Sequence, residues 1–576
     1  MKSRRTLAFF AIATAFALAA ATFTNKLSAD QDSHRFRFQP NTLVLSRSVY
    51  VGNASTVTIG ETLPRGCAGG PNGSTVVAVP TTTNGVTDVT VTCGVASDNG
   101  EFPNLFDSHN VWNNSGSDGS FGVSSPIFLD NITTDGWSVG TLPIPSDQIV
   151  TSFSSKSELA LNRSVDGRSI TFMGYHGGPG CGGFPVSPTA PNLVDVSASN
   201  TPGICDPTNS VITSFVSDPV VPTAYFRAVA EVDSDGQLSI TDGNAYSGDN
   251  GRAAIKGGNG LYYMAGNDNS GNLSKKQLTT TQIGIDLVNA TGAELLEPGQ
   301  APSVPPNVGM IGRLLFGSDK PGKDTNFRGL TIFNNTLYVS KGSGGNGINT
   351  VYQAGTPGVL PTGTAAQLKP IPLTILPGFP NTLASTSTSF PFGMWFANAT
   401  TLYLCDEGDG ILVPPDMNGN VADAQSQASA GVQKWSLVNG TWTMLYVLQD
   451  GLNIGAPYGV ANYPASLNPA TGGCRNMTGE HNNDGTVTLY AITSTISANG
   501  DQGADPNKLV KVSDVLNATT LPQGDGDNDR ADRPGHFVII RSAKAGEVFR
   551  GIAFAPNRGD EATSNRARSA LSGQAD

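Results

Sequence analysis

Phe549-Arg550-Gly551-Ile552-Ala553-Phe554 repeats the pattern of Phe327-Arg328-Gly329-Leu330-Thr331-Ile332, and almost nothing that could pair with it follows before the chain ends at residue 576. An isolated strand at the end of a chain has two unsatisfied edges, so this copy must find its neighbours elsewhere. A strand echoed along the chain, whose final copy borrows partners from the beginning, predicts a ring of radially repeated sheets, a β-propeller.

The other copies can be read from the same pattern. The segment from Phe327 leads through Asn334-Asn335 to Leu337-Tyr338-Val339, and a second copy reads Phe392-Gly393-Met394-Trp395-Phe396 followed by Leu402-Tyr403-Leu404. Gly431 to Leu437, Asn439-Gly440 and Trp442 to Leu448 continue it, Asn-Gly between alternating apolar residues being a strong hairpin signal. A further inner strand is placed at Tyr458-Gly459-Val460, with Thr486 to Ile492, Lys508 to Val512 and Phe537 to Arg541 outside it. Arg252 to Ile255 and Leu159-Ala160-Leu161 open two more copies, which makes six with Phe549 to Phe554. The expected fold is therefore all-β, a six-bladed β-propeller with seven blades as the alternative. The spacing between copies, about 65 to 100 residues, exceeds the roughly 40 to 50 of compact propeller repeats, so long loops are required.

Thr42 to Tyr50, Pro126 to Leu129 and Trp137 to Ile144 have no inner strand of their own. Joined to Phe549 to Phe554 they complete a blade, so the ring is expected to close by pairing N- and C-terminal strands. The propeller then spans residues 42–556, with 51–123 as a cysteine-containing insertion and 557–576 as a flexible polar tail.

Lys2, Arg4 and Arg5 precede an uncharged stretch from Leu7 to Ala21 and small residues ending at Ala29, which reads as a signal peptide over residues 1–29. Ser3-Arg4-Arg5-Thr6-Leu7 is also a degenerate twin-arginine pattern, so general and twin-arginine export both remain open. The expected location is extracytoplasmic, secreted or periplasmic, with no transmembrane segment in the mature protein. Six cysteines without a C-x-x-C pair suit that compartment. The short loops suggest Cys67 with Cys93 and Cys181 with Cys205, leaving Cys405 with Cys474. A net charge of -12 argues against a nucleic-acid partner.

With its inner-strand copies, the Leu-Tyr-Val and Leu-Tyr-Leu strands that follow them, and the segment from Ser157-Glu158-Leu159 to Asp166-Gly167-Arg168, the chain resembles exported propellers of the NHL-repeat, lactonase-like and phytase-like class. The resemblance covers most of residues 42–556 and implies architecture only, because this fold hosts binders, scaffolds and hydrolases alike.

Local motifs carry little chemistry. His176-Gly177-Gly178-Pro179-Gly180 looks like an oxyanion loop, but no G-x-S-x-G serine accompanies it. Gly342 to Gly347 satisfies G-x-G-x-x-G yet leads into a strand, and Arg558-Gly559-Asp560 is a tripeptide in a polar tail. Asp525, Asp527 and Asp529 alternate as Ca²⁺ ligands do, although Arg530 replaces the usual glycine; Ca²⁺ is the one cofactor considered, and an acidic solvated loop the other reading.

The leading constellation follows from the architecture. Arg252, Arg328 and Arg550 each begin an inner strand, and Glu158, Phe392 and Tyr458 take the matching places in other blades. Such a ring could bind a carboxylate or phosphate at one channel mouth, or each arginine could pair with a carboxylate or carbonyl of the adjacent blade. Asp406-Glu407 and Glu480-His481 are second candidates for the same rim, as metal ligands or an acid-base pair. The expected function is an exported binding or interaction protein for a small anionic or saccharide-like molecule, or for an extracellular protein or glycan. A metal-dependent hydrolase of lactonase or phosphoesterase type and a cell-surface scaffold are the alternatives.

Overall fold

The computed structural model describes residues 36–50, 124–146, 148–153, 159–176, 227–243, 251–268, 325–342, 348–368, 370–382, 389–413, 427–497, 502–522 and 533–558, with strand segments at 62–63, 75–79, 89–95, 285–289, 309–310, 313–314 and 423–424. The proposed signal peptide, Glu158, the Asp525 to Asp529 loop and residues 559–576 lie outside them.

Among the described residues the chain is all-β apart from short helical turns, and its architecture is a β-propeller. Among the described residues five sheets have four strands or more. One of these, of nine strands, contains two runs, antiparallel except where Arg313–Leu314 pairs parallel with Pro372–Ile375, joined only where Asn267 and Asp268 pair with Asn326 and Thr325. The first run starts at Gly251–Lys256 and the second at Thr325–Phe333.

The last strand, Glu547–Phe554, pairs antiparallel with the first, Leu43–Val49, which pairs in turn with Ile127–Ile132 and then Ser138–Pro143. Arg47 reinforces that junction: its guanidinium binds Asp130 at 2.9 Å on one side and Glu547 at 2.9 Å on the other. Asp130 is fully buried, and although burial opposes its charged form, hydrogen bonds from Arg47 and Thr141 hold its pKa below the ordinary value.

Turn chemistry sets the hairpins. Asn334 and Asn335, between Thr325–Phe333 and Thr336–Lys341, both have positive φ, as do Asn439 and Gly440 between Gly431–Val438 and Thr441–Leu448. Two consecutive left-handed residues match the twist of antiparallel strands, and asparagine and glycine tolerate them best.

Blades pack on each other through aromatic residues. Phe333 stacks on Phe396 at 4.8 Å, and Tyr490 meets Phe554 edge-on at 5.9 Å. A buried polar network also crosses a blade boundary: Lys434 Nζ lies 2.9 Å from Asp514, whose carboxylate accepts hydrogen bonds from the hydroxyls of Tyr403 and Tyr446. Every member being bonded, the network avoids the cost of an isolated buried charge.

Cys405 and Cys474 form a disulfide with Cα atoms 5.2 Å apart, linking Thr401–Asp406 to Ala470–His481 in the neighbouring sheet. Cys67, Cys93, Cys181 and Cys205 lie where no side chain is described. No helix among the described residues is long and apolar enough to cross a membrane.

One register expectation is corrected. Tyr458 to Val460 is not a strand; the inner strand of that sheet is Ala470–His481, which pairs directly with Thr486–Ile496. Tyr458 belongs to the segment leading into it, its amide donating to the Pro469 carbonyl at 2.9 Å. The physical reason is the hairpin at Asp484-Gly485, where Gly485 has positive φ and turns the chain back on the strand immediately before it.

Candidate functional site

Three glycines define one level of the inner strands. A Cβ on Gly551 would lie 2.2 Å from the Leu159 carbonyl oxygen, one on Gly329 would lie 2.4 Å from that of Phe392, and one on Gly393 would lie 2.6 Å from that of Arg475. Only glycine allows the backbones of neighbouring inner strands to come so close. Two further contacts extend the level: Ala160 bridges Ala253 in parallel, and the amide of Ile552 donates to Oδ1 of Asn476 at 2.6 Å.

Hydroxyls from the second strands hold the level in place. Ser46 donates to the Leu159 carbonyl at 2.7 Å, Thr171 to that of Ala254 at 2.7 Å and Ser340 to that of Phe392 at 2.5 Å. In each case a buried hydroxyl of one sheet donates to a carbonyl of the next.

The residue immediately before each contact point is therefore also at a common level. These residues are Leu159, Arg252, Arg328, Phe392, Arg475 and Arg550. Four of the six are arginines, and all four are buried, 5–7% exposed. The expected Arg252, Arg328, Arg550 and Phe392 hold matching places, whereas the place given to Tyr458 belongs to Arg475. Leu159 stands at the level for its sheet, one residue beyond Glu158.

Arg475 escaped the sequence pattern because asparagine follows it where Arg328 and Arg550 are followed by glycine. Reading the hairpin backwards from Asp484-Gly485 would have found it. Tyr458 has a different role: its hydroxyl donates to the Pro506 carbonyl at 2.8 Å, and Lys508 Nζ stands 3.4 Å above its ring. Burial lowers the pKa of that lysine to about 8.

Glu407 ties two of the arginines together. It follows Thr401–Asp406, and its carboxylate accepts from Nε of Arg475 at 3.0 Å while lying 3.6 Å from Nη1 of Arg328. The Arg328 guanidinium also sits over the Phe392 ring, 5.4 Å from its centroid. Arg550 donates to the Phe153 carbonyl and lies 3.4 Å from the Ser48 hydroxyl. Arg328 and Arg550 thus both engage groups outside their own strands, which is the interblade role that the sequence leaves open.

Of the second candidates, Asp406 and Glu407 separate. Asp406 is fully buried, and its carboxyl takes hydrogen bonds from Ser389, Gln433 and the amides of Phe390 and Gly408, each at 2.9 Å. Burial nevertheless pushes its pKa up to about 6. Glu480 and His481 end the same strand that carries Arg475, five and six residues further on, roughly 17–20 Å at the rise of an extended strand. They do not share the rim. Glu480 accepts from the Tyr490 hydroxyl at 2.8 Å, and Nε2 of His481 lies 2.6 Å from the Ala397 carbonyl oxygen.

Among the described residues no group of three His, Cys, Asp or Glu side chains could hold a metal ion. Asp525, Asp527, Asp529 and residues 177–180 lie outside those residues. Arg558 does not hang free but binds Asp235 at 2.8 Å.

No protein-family model matches the sequence, and no curated protein is similar to it. Among solved structures, a glucose dehydrogenase is similar at 13% identity and a TM-score of 0.30, over 64% of this chain and 89% of that one. An endo-arabinase from Bacteroides thetaiotaomicron VPI-5482 is similar at 11% identity and a TM-score of 0.24, over 52% and 90%. Likeness at that level transfers neither activity nor ligand to this chain.

Proposed function

We propose that this chain is an exported binding protein, a six-bladed propeller whose channel mouth holds a small anion at the level of Arg252, Arg328, Arg475 and Arg550. The observation that carries the reading is that level itself: four buried arginines, Arg252, Arg328, Arg475 and Arg550, hold matching places on four inner strands, with the carboxylate of Glu407 between two of them. In a protein of net charge -12 this level gathers cationic side chains, and guanidinium groups in a weakly solvated place recognise carboxylate or phosphate oxygens well. The six-bladed count is supported by contacts between successive inner strands, from Asn162–Arg163 through those starting at Gly251, Thr325, Pro391 and Ala470 to Glu547–Phe554, which touches Asn162–Arg163 again.

Titration calorimetry with inorganic phosphate and succinate tests the reading. Binding is expected in the wild type, with affinity lowered at least about tenfold in Arg252→Gln, the loss of one charge-assisted contact. The absence of heat with both anions, and of any rise in melting temperature, would count against it. A second reading, a scaffold in which these arginines only join neighbouring blades, is favoured by the bonds of Arg328 and Arg550 to groups outside their strands. It predicts that Arg252→Gln lowers stability and leaves no anion response to lose.

A further inference from the structure

We infer that Glu407 is an internal occupant of a carboxylate subsite formed by Arg328, Arg475 and Phe392, and so determines which anions the mouth accepts. The inference rests on the anion-binding reading for its biological use, but the subsite itself stands on independent geometry. The backbone of Glu407 is held from three directions. Its amide donates to the Phe390 carbonyl at 3.0 Å, its carbonyl accepts from the Ser494 hydroxyl at 2.7 Å, and Cys405, two residues before it, is joined to Cys474, the neighbour of Arg475. With the main chain so fixed, the side chain delivers one carboxylate between guanidiniums from two different strands, Thr325–Phe333 and Ala470–His481.

A carboxylate presented in this way is chemically the same as the end group of a free carboxylic acid. Its two oxygens face one arginine each, and the Phe392 ring lies against the Arg328 guanidinium. Glu407 is only partly shielded, its side chain 13% exposed, so the subsite is within reach of small solutes. While Glu407 is in place a monocarboxylate meets an occupied position. An anion that gains the mouth must then compete with Glu407 for these guanidiniums, which selects a phosphate monoester or dicarboxylate, able to engage two guanidiniums at once, over a simple carboxylate.

Glu407→Ala removes the occupant and leaves its position open. The variant is expected to melt below the wild type, and acetate is expected to raise its melting temperature in a saturable way while leaving that of the wild type unchanged. Chloride at equal ionic strength controls for screening. In Glu407→Gln, which keeps the shape without the charge, acetate is expected to have a smaller effect than in Glu407→Ala. A folded Glu407→Ala protein that responds to acetate no more than the wild type would overturn the inference. If Glu407→Ala does not fold in buffer, refolding in acetate against chloride gives the same reading: recovery in acetate supports the subsite, and equal failure in both overturns it. Should acetate rescue the variant while the wild type ignores phosphate and succinate, the subsite stands and the anion-binding function falls.

Discussion

At the scale of single residues, the close approach of inner strands makes glycine the most demanding position. A methyl group on Gly551 would meet two backbone atoms, the Leu159 oxygen at 2.2 Å and the Leu161 nitrogen at 2.4 Å, neither of which can turn aside as a side chain can. Gly551→Ala should therefore cost at least about 3 kcal/mol, an overpacking effect at the upper end for one methyl. Gly459→Ala, with nothing within 4 Å, should stay within about 0.5 kcal/mol. Chemical denaturation of the two variants checks this, and equal costs would show that the inner strands can part. Asp406 offers a pH test at the same scale. Its folded pKa is raised by burial to about 6, so the folded state holds the proton more tightly than the unfolded chain. Its contribution to stability is present below the unfolded value, near 4, and is lost as pH rises through about 6. The stability of the wild type minus that of Asp406→Asn should fall over that window by up to about 3 kcal/mol and be level above it. A difference that grows with pH would mean that the four donors around the carboxyl outweigh its burial.

At the scale of elements, strands and hairpins were legible in sequence wherever turn residues and alternation agreed. Asn334-Asn335 and Asn439-Gly440 marked their hairpins, and the pairing of Thr42 to Tyr50 with the last strand could be expected from the lack of any other partner. The misplacement of one inner strand at Tyr458 shows where that reasoning stops. An aromatic-glycine pair imitates the Phe-Gly of Phe392-Gly393, whereas the strand at Ala470–His481 begins with small residues and carries asparagine at its contact point. That single error hid Arg475, and with it the role of Glu407, which depends on a neighbour 68 residues away. Arg252, Arg328 and Arg550 were legible because they repeat in register; Glu407 was named only as one of an acidic pair, because the side chains that engage it belong to other strands. The disulfide between Cys405 and Cys474 supports that contact directly. It closes a loop spanning 69 residues, so Cys405→Ala with Cys474→Ala should cost about 2–4 kcal/mol in thermal or denaturant unfolding. A double variant as stable as the wild type would place the support of Arg475 and Glu407 in the hydrogen bonds alone.

At the scale of the whole molecule, the arrangement makes the two ends of the sequence interdependent. Glu547–Phe554 lies between Leu43–Val49 on one side and the strand ending at His481 on the other, with Asn507 bonding both the amide and the carbonyl of Phe549 at 2.8 Å. Its buried face includes Val548, Phe549 and Ile552, each no more than 2% exposed. Removing it strips ladder bonds from Leu43–Val49, leaves Arg47 without Glu547, and opens apolar surface on two sheets at once. Deleting residues 545–556 should therefore unfold the protein cooperatively, with loss of the tertiary circular dichroism signal and gain of dye-binding apolar surface, whereas stopping the chain after Arg558 should leave the melting temperature within a few degrees. Because the strand is a discrete edge element, a synthetic peptide of residues 545–556 should also bind the shortened protein and restore part of its signal, as an added strand completes an open sheet. If the shortened protein instead melts as the full chain does, the first and last strands are a local clasp and the other sheets hold together without them, which would remove the support for a closed six-bladed ring and for a common level of arginines around its mouth.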